Sequence, residues 1–273
     1  IFSNYKKNNF KIDIESGYSF VKDDYKNSEK DKINIKIVKK NSKDFKIEAF
    51  IKNEKNLVNS SELLNYFKNS NKIIKNQDLI FGSENEIKFT INGKNKIKNL
   101  IVKSILNLEE ILIDYKSPRL KKIIPDFKNI FKLKNTSINI DFSKNKVKIT
   151  SKGDYSFKNK YDKFNFEIVK NKNDLIFDTK VEIDVNPIIL EDINYNKKKN
   201  IYSELKFNGQ IFENKKIKFE NINLLENQNN LSLSNLFLTN QFKIIDFDKL
   251  ELNYLNNNKK VNQLSVNKDN EKF

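Results

Sequence analysis

The chain of 273 residues contains no cysteine, histidine, methionine or tryptophan. Without cysteine there is no disulfide framework and no thiolate chemistry. Without histidine the chain lacks the commonest general base and the commonest metal ligand, which excludes Ser-His and Cys-His catalysis and the usual zinc sites. Carboxylates, lysines and tyrosines are the only side chains left for enzymatic chemistry.

Glycine and proline are almost as scarce, with 5 and 3 copies, and the glycines are isolated from one another. The sequence therefore has no glycine-rich loop that could hold a nucleotide phosphate. Glu182 and Asp184 resemble an acid/base pair, but strand alternation places both on a solvated face, opposite Ile183. From these absences we expect no enzymatic activity, no catalytic residue, no metal and no cofactor.

The chain is strongly basic: it contains 52 Lys and Arg residues and 36 Asp and Glu residues, which gives a net charge of +16. Such a balance usually points to nucleic acid or to an anionic membrane. However, Arg119 is the single arginine, and nucleic-acid sites favour arginine for its bidentate pairing with phosphate and guanine. The abundance of Lys, Asn and Ile is typical of an AT-rich genome. We therefore expect no nucleic-acid partner. A basic nucleic-acid binder is the third of the three functions that we consider for this chain.

Apolar residues fall on every second position through most of the chain, as at Ile33, Ile35 and Ile37 and repeatedly within 217–254. A period of two predicts strands with one apolar face and one polar face. We predict a predominantly all-β fold, a long antiparallel β-meander of about twenty short strands. Open sheets of that size usually curl or split, so a sandwich, a closed barrel and an elongated open trough are the alternatives. The strands are too short for an outer-membrane barrel.

The alternation of apolar and polar residues is interrupted at a few places. Residues 60–75 predict a short amphipathic helix, and the connection at 117–131 predicts a second short helix after Pro125. Residues 100–115 are more continuously apolar, which indicates strands that are buried more deeply. No change of composition divides the chain, so we expect a single elongated segment over 1–262 and a weakly structured end at 263–273. We also expect the chain to be a fragment of a larger protein.

The stretch from Ile124 to Tyr254 resembles a known family. The segments KVKITSKGDYSF, KVEIDVNPIIL and KFENINLLENQNNLSLSNLFL resemble the repetitive β-rich region of the AsmA-like superfamily, of the TamB and YhdP type. The resemblance implies that the sheet curls into an open trough with an apolar lining, and that the protein is a monomer. It also implies a periplasmic location, with the parent protein anchored in the inner membrane of a Gram-negative bacterium.

For function, the resemblance implies a conduit that binds phospholipid acyl chains and carries phospholipid between the inner and outer membranes. The parent protein would contact these membranes through parts that lie outside this chain. A trough lined by Ile, Leu and Phe suits acyl chains, because each buried CH₂ contributes about 0.8 kcal/mol. The alternative is a structural or adhesive β-sandwich or solenoid with a dry core. The expected lipid-binding residues are Ile138, Ile140, Phe142, Val147, Ile149, Phe164, Phe166, Ile168, Val181, Ile183, Val185, Leu205, Phe207, Ile217, Phe219, Leu231, Leu233, Phe242 and Ile244.

Overall fold

The computed structural model describes residues 2–3, 9–18, 31–39, 43–60, 74–75, 78–158, 160–213, 216–256, 258 and 260–268. Within these residues the chain forms strands almost throughout, with one α-helix, α1 (Pro118–Ile123), and one 3₁₀ turn (Glu191–Ile193). The strands are β1 Phe2–Ser3, β2 Phe10–Tyr18, β3 Asp31–Lys39, β4 Phe45–Asn59, β5 Asp78–Ile91, β6 Ile97–Asp114, β7 Ile130–Ser143, β8 Lys146–Ser156, β9 Asp162–Lys170, β10 Leu175–Ile183, β11 Ile188–Leu190, β12 Tyr195–Lys197, β13 Ser203–Ile211, β14 Ile217–Glu226, β15 Asn229–Leu238, β16 Ile244–Asp246, β17 Lys249–Leu255 and β18 Val261–Asn267.

One antiparallel sheet contains almost all of these strands. It runs in chain order from β1 to β10, skips to β13, and continues through β14, β15, β17 and β18, while β16 pairs with the end of β15. Strands β11 and β12 pair only with each other and form a separate hairpin. Within the described residues no pairing joins β1 to β18, so the sheet is not closed. The predicted all-β antiparallel meander is confirmed.

Contacts divide the chain into two compact units, whereas the sequence predicts a single segment over 1–262. Unit 1 comprises Ile1–Ile111 and Asn135–Thr150. Unit 2 comprises Leu112–Lys134 and Ser151–Phe273. The two clusters of fully buried hydrophobic residues found in the described part of the chain both belong to unit 2.

Asparagine replaces glycine where the backbone must turn. Nine non-glycine residues among those described have positive φ, and eight of them are asparagines, whereas no described glycine has positive φ. Asparagine tolerates the left-handed conformation better than other side chains do, because its short amide can bond to nearby backbone. A chain with few glycines can therefore still form tight hairpins, as at Asn227 (φ 50°) between β14 and β15.

The predicted helix after Pro125 is wrong in position, because α1 precedes that proline. Ser117 caps the helix by accepting a hydrogen bond from the Leu120 N–H at 3.2 Å, and Pro118 supplies a preset φ at the first position. Ile124 is extended (φ −120°, ψ 96°), the conformation that a following proline favours. The helix predicted over 60–75 falls mostly on 61–73, outside the described residues.

Two further expectations differ from the structure. Residues 100–115 are only in part more deeply buried: β6 alternates as far as Leu108 and leaves Ile101 and Ile105 41% and 42% exposed, whereas Ile111 beyond it is buried. Residues 263–267, expected in a weakly structured end, lie in β18, which pairs with β17 along its whole length. No helix in the described part of the chain is long and apolar enough to cross a membrane.

Candidate functional site

The sheet of unit 2 presents one continuous apolar face between β9 and β18. Residues directly opposite each other in antiparallel strands share a face, so the register defines four rows that cross the strands. We call these the apolar rows. Their members are Phe164, Val181, Leu205, Leu224, Leu231, Leu252 and Leu264 in row 1; Phe166, Thr179, Phe207, Ile222, Leu233, Leu250 and Val266 in row 2; Ile168, Phe177, Gly209, Phe219 and Leu236 in row 3; and Leu175, Ile211, Ile217 and Leu238 in row 4.

A β-bulge keeps the apolar rows on one face although the alternation in the sequence changes phase. In β14 the step from Phe219 to Ile222 is three residues, which in a regular strand would turn the two side chains to opposite faces. The pairing of β13 with β14 shifts by one residue at this point, between Asn208 and Gly209. Ile222 nevertheless packs against the same buried cluster as Phe219. The bulge therefore compensates for the phase change.

Three phenylalanines surround Gly209 on this face. Phe177 lies 5.4 Å from Phe219 and 6.2 Å from Phe207 between ring centroids, and Phe207 lies 6.1 Å from Phe219. All three pairs are edge-to-face, the arrangement that aromatic quadrupoles favour. A Cβ at Gly209 would lie 2.8 Å from Phe177 Cζ and inside contact distance of the Lys218 carbonyl oxygen. Only glycine leaves room for this aromatic trio.

The β11–β12 hairpin covers part of the apolar rows. Its Ile188 and Tyr195 are 5% and 1% exposed and pack in one cluster with Leu224 and Leu252. Leu190 and Ile193 contact the same cluster. Row 1 is consequently buried at β14, β15 and β17, whereas its members at β9, β10 and β13 stay partly buried. The face is therefore dry beneath the hairpin and also at Ile217, Leu236 and Leu238, and it is partly exposed at β9, β10 and β13.

Two tyrosine hydroxyls attach the hairpin to the sheet. The Tyr195 hydroxyl donates to the buried Glu226 carboxylate at the end of β14, and the Tyr254 hydroxyl of β17 donates to the Ile193 carbonyl of the 3₁₀ turn. Burial, followed by the hydrogen bond to Glu226, raises the pKa of Tyr195 above its ordinary value. The Tyr195 and Tyr254 rings also meet edge-to-face at 5.6 Å.

A buried lysine and a buried aspartate hold the chain at the end of β10, where the hairpin begins. Lys197, with no exposed surface, donates to the carbonyls of Asp184 at 2.9 Å and Asn186 at 2.8 Å. The Asp162 carboxylate accepts from the Asp184 N–H at 2.9 Å and the Val185 N–H at 3.1 Å. Burial lowers the pKa of Lys197, and these polar groups satisfy backbone that leaves the sheet.

The opposite face of the same strands is charged and solvated. Glu204 bonds Lys180 at 2.6 Å and Lys206 at 2.5 Å, and these contacts lower its pKa to about 2. Glu182 lies on this outer face near Lys180, and Asp184 is exposed, which agrees with the solvated interpretation of the two carboxylates. Within the described ranges no group of three or more acidic residues is placed to hold a metal ion.

Unit 1 carries rows of its own, and they are less buried. One row joins Ile14, Ile35, Ala49, Ile87 and Val102 across β2 to β6, and each member is partly buried or exposed. A small amide and hydroxyl network interrupts the rows further along. It consists of the Asn53 amide donating to Ser83 at 2.5 Å, the Asn85 amide donating to Ser83 at 3.0 Å, and the Ser104 hydroxyl donating to Asn85 at 2.5 Å.

A cleft of about 500 Å³ lies next to this network in unit 1, where an extra residue in β4 shifts its pairing with β5. Its lining is mixed, with Phe81 and Leu108 beside Ser83, Glu84 and Glu109. Lys55 pairs with Glu109 at the cleft and is 78% exposed at its side chain. A cleft with so few apolar walls differs in kind from the apolar rows.

The structure brings together most of the predicted lipid-binding residues. Ile183 lies in the cluster under the hairpin, whereas Val185 lies beyond the end of β10, because the chain there leaves the sheet. Phe242 is 55% exposed and lies in the turn before β16, and Ile244, 68% exposed, begins β16 opposite Leu238. Neither is a member of the buried clusters. The predicted lipid-binding residues that lie on the apolar rows are Phe164, Phe166, Ile168, Val181, Leu205, Phe207, Ile217, Phe219, Leu231 and Leu233. The predicted residues that are partly buried in unit 1 are Ile138, Ile140, Phe142, Val147 and Ile149.

The predicted set omits several members of the same face. Phe177, Leu224 and Leu252 follow the same alternation, so the same signal could have found them. The hairpin residues Tyr195 and Lys197 carry no such signal, because the alternation after Pro187 lasts only three residues in each arm. No family model, no curated protein and no solved structure matches the chain.

Proposed function

We propose that the chain binds phospholipid acyl chains along the apolar rows and conducts phospholipid between the inner and outer membranes of a Gram-negative bacterium. The observation that carries the proposal is the half-exposed part of these rows at β9, β10 and β13. There, Phe166 and Phe207 share row 2, and both are partly buried by the chain itself. An acyl chain would remove the remaining surface from water, at about 25 cal/mol per Å².

The face has the properties that such a ligand needs. Its side chains are mainly aliphatic and aromatic, and it continues across seven strands. The lysine–glutamate pairs of β10 and β13 lie on the other face, and the buried Asp162 and Glu226 stand at strand ends. The resemblance to the AsmA-like superfamily supports the same function. On this proposal the protein is not an enzyme, takes no cofactor, acts as a monomer and works in the periplasm, attached through a parent protein to the inner membrane.

The second candidate function is a structural or adhesive role with a dry core. The observation that favours it is the hairpin, which buries Leu224, Leu231 and Leu252 completely enough to leave each 7–8% exposed. A face that is covered along its whole length by its own chain would have no surface left for lipid. The two functions therefore differ in whether the β9–β13 part of the rows is accessible.

Photocrosslinking tests this difference without disturbing the core. A photoreactive phenylalanine analogue replaces Phe166 on row 2, and the matched control places it at Ile176 on the outer face of the neighbouring strand, where 44% of the residue is exposed. The protein is purified from a bacterial host and irradiated, and its adducts are identified by mass spectrometry. We expect phospholipid adducts at 166 and few at 176.

If few phospholipid adducts form, a second measurement distinguishes the lipid conduit from the structural role with a dry core. Native mass spectrometry of the unmodified protein shows whether lipid co-purifies, and Phe166→Asp should reduce the lipid-bound fraction while Ile176→Asp leaves it unchanged. A folded, lipid-free protein that takes up no added phospholipid would reject the conduit and favour the dry core.

A further inference from the structure

The turn between β15 and β16 and the first two residues of β16 present three large apolar side chains to solvent. Phe242, Ile244 and Ile245 are 55%, 68% and 50% exposed. The turn itself is well ordered by hydrogen bonds: the Phe242 N–H donates to the Thr239 carbonyl at 2.9 Å, and the Thr239 hydroxyl accepts from the Lys243 N–H at 3.2 Å. The exposure is therefore built into the turn.

Phe242 is unusual in its backbone as well as in its exposure. Its φ is 60°, and it is the only one of the nine described non-glycine residues with positive φ that is not asparagine. A bulky side chain in this conformation costs free energy that asparagine or glycine would largely avoid. Strain of this kind that persists at an exposed aromatic residue points to a role for the side chain outside the fold.

A basic segment lies against the same turn. The Arg119 guanidinium of α1 stands over the Phe242 ring at 5.8 Å, which joins the helix to the turn. Segments 115–123 and 239–245 together contain five cationic residues and no acidic one, in a chain that averages two acids for every three bases. Those five residues, all exposed, are Lys116, Arg119, Lys121, Lys122 and Lys243.

We propose that this basic–apolar patch, formed by residues 115–123 and 239–245, docks on the surface of a bilayer that contains anionic phospholipid. The lysines complement the headgroup charge, and the exposed Phe242, Ile244 and Ile245 enter the interfacial region below it. Nucleic acid fits less well, because Arg119 is the patch's one arginine and because Ile244 and Ile245, unlike Phe242 and Tyr115, offer no face for base stacking. The inference goes beyond acyl-chain binding on the apolar rows and does not depend on it.

Vesicle sedimentation tests the patch with the whole chain. Vesicles of phosphatidylcholine are compared with vesicles that also contain phosphatidylglycerol, and binding should require the anionic lipid. Lys121→Gln with Lys122→Gln should weaken binding about twenty-five-fold, from about fivefold per cation. Phe242→Asn should weaken it about tenfold while the melting temperature holds or rises, because asparagine suits the backbone and the lost aromatic surface was exposed.

Matched variants separate the patch from general effects of charge and hydrophobicity. Lys94→Gln with Lys96→Gln removes the same charge from an exposed turn of unit 1, and Ile176→Asn removes an apolar side chain that is 44% exposed, against 55% for Phe242. Both should bind vesicles as the parent chain does. The proposal is overturned if Phe242→Asn binds unchanged, if the controls lose as much binding as the patch variants, or if a single-stranded oligonucleotide displaces the vesicles. Phe166→Asp should leave vesicle docking intact, which keeps this outcome separate from that of the lipid conduit.

Discussion

Gly209→Ala is the substitution for which the structure predicts the largest local cost. The new Cβ would lie 2.8 Å from Phe177 Cζ and 3.0 Å from the Lys218 carbonyl carbon, and closer still to the Lys218 carbonyl oxygen. The ring can rotate away, but the carbonyl belongs to the backbone of the paired strand β14. Relief therefore requires β13 and β14 to separate at the bulge. We expect a loss of about 3 kcal/mol in the free energy of unfolding, the upper part of the range for overpacking.

For a chain of this size, that loss corresponds to a fall of roughly 6–12 °C in melting temperature. Far-ultraviolet circular dichroism is the suitable probe, because the chain has no tryptophan. Gly82→Ala is the matched control: its Cβ would meet the Asn53 carbonyl oxygen at an ordinary 3.4 Å, so stability should hold or rise slightly. Equal melting temperatures for the two variants would refute the steric argument. A full rescue of Gly209→Ala by Phe177→Leu would show that the ring, not the backbone, causes the clash.

Three other perturbations probe separate features. Lys197→Met should leave the buried carbonyls of Asp184 and Asn186 without donors and lower the free energy of unfolding by about 2 kcal/mol. Amide hydrogen exchange over residues 188–197 should become faster, and unchanged exchange would contradict this role of Lys197. The pKa of Glu204 falls from 4.5 to about 2 on folding, so ionised Glu204 adds stability above pH 4.5 that is lost as the pH falls toward 2. Glu204→Gln should flatten the melting temperature across that pH range, and an unchanged slope would argue against the lysine contacts. Asn227→Gly should hold or raise stability, whereas Asn227→Val should lower it by about 1–2 kcal/mol in denaturant titrations, because φ is 50° there.

Period-two alternation was sufficient to predict the sheet and most of one face. The pattern at Phe164, Phe166 and Ile168 leads directly to rows that the register confirms. It also survives the phase change between Phe219 and Ile222, because the bulge there restores the face. A sequence pattern marks where the phase changes, but only the pairing of neighbouring strands shows whether the backbone compensates.

The residues that alternation could not predict lie where the chain leaves the sheet. Lys197 is one lysine in a lysine-rich chain, and nothing in its immediate sequence distinguishes it from a solvated side chain. Its burial depends on carbonyls that Asp184 and Asn186 expose when β10 ends. Phe242 shows the opposite failure, since its spacing from Ile244 predicts a shared buried face. The left-handed backbone at Phe242 places that side chain in a turn, and Ile244, at the start of β16, is exposed as well.

The hairpin bears most directly on how the apolar rows could be used. Its two tyrosine hydrogen bonds, to Glu226 and from Tyr254 to Ile193, attach it to β14 and β17. Lys197 and the cluster that contains Ile183 attach it to the end of β10 as well. The cover therefore reaches Val181 and Leu205 of row 1, while Phe164 and Phe166, stacked at 6.2 Å, stay partly exposed. A protein that only needed a dry core would gain about 0.8 kcal/mol for each further CH₂ it buried. On the proposed function, an acyl chain would complete the burial of Phe164 and Phe166, whereas on the dry-core alternative their partial exposure has no use.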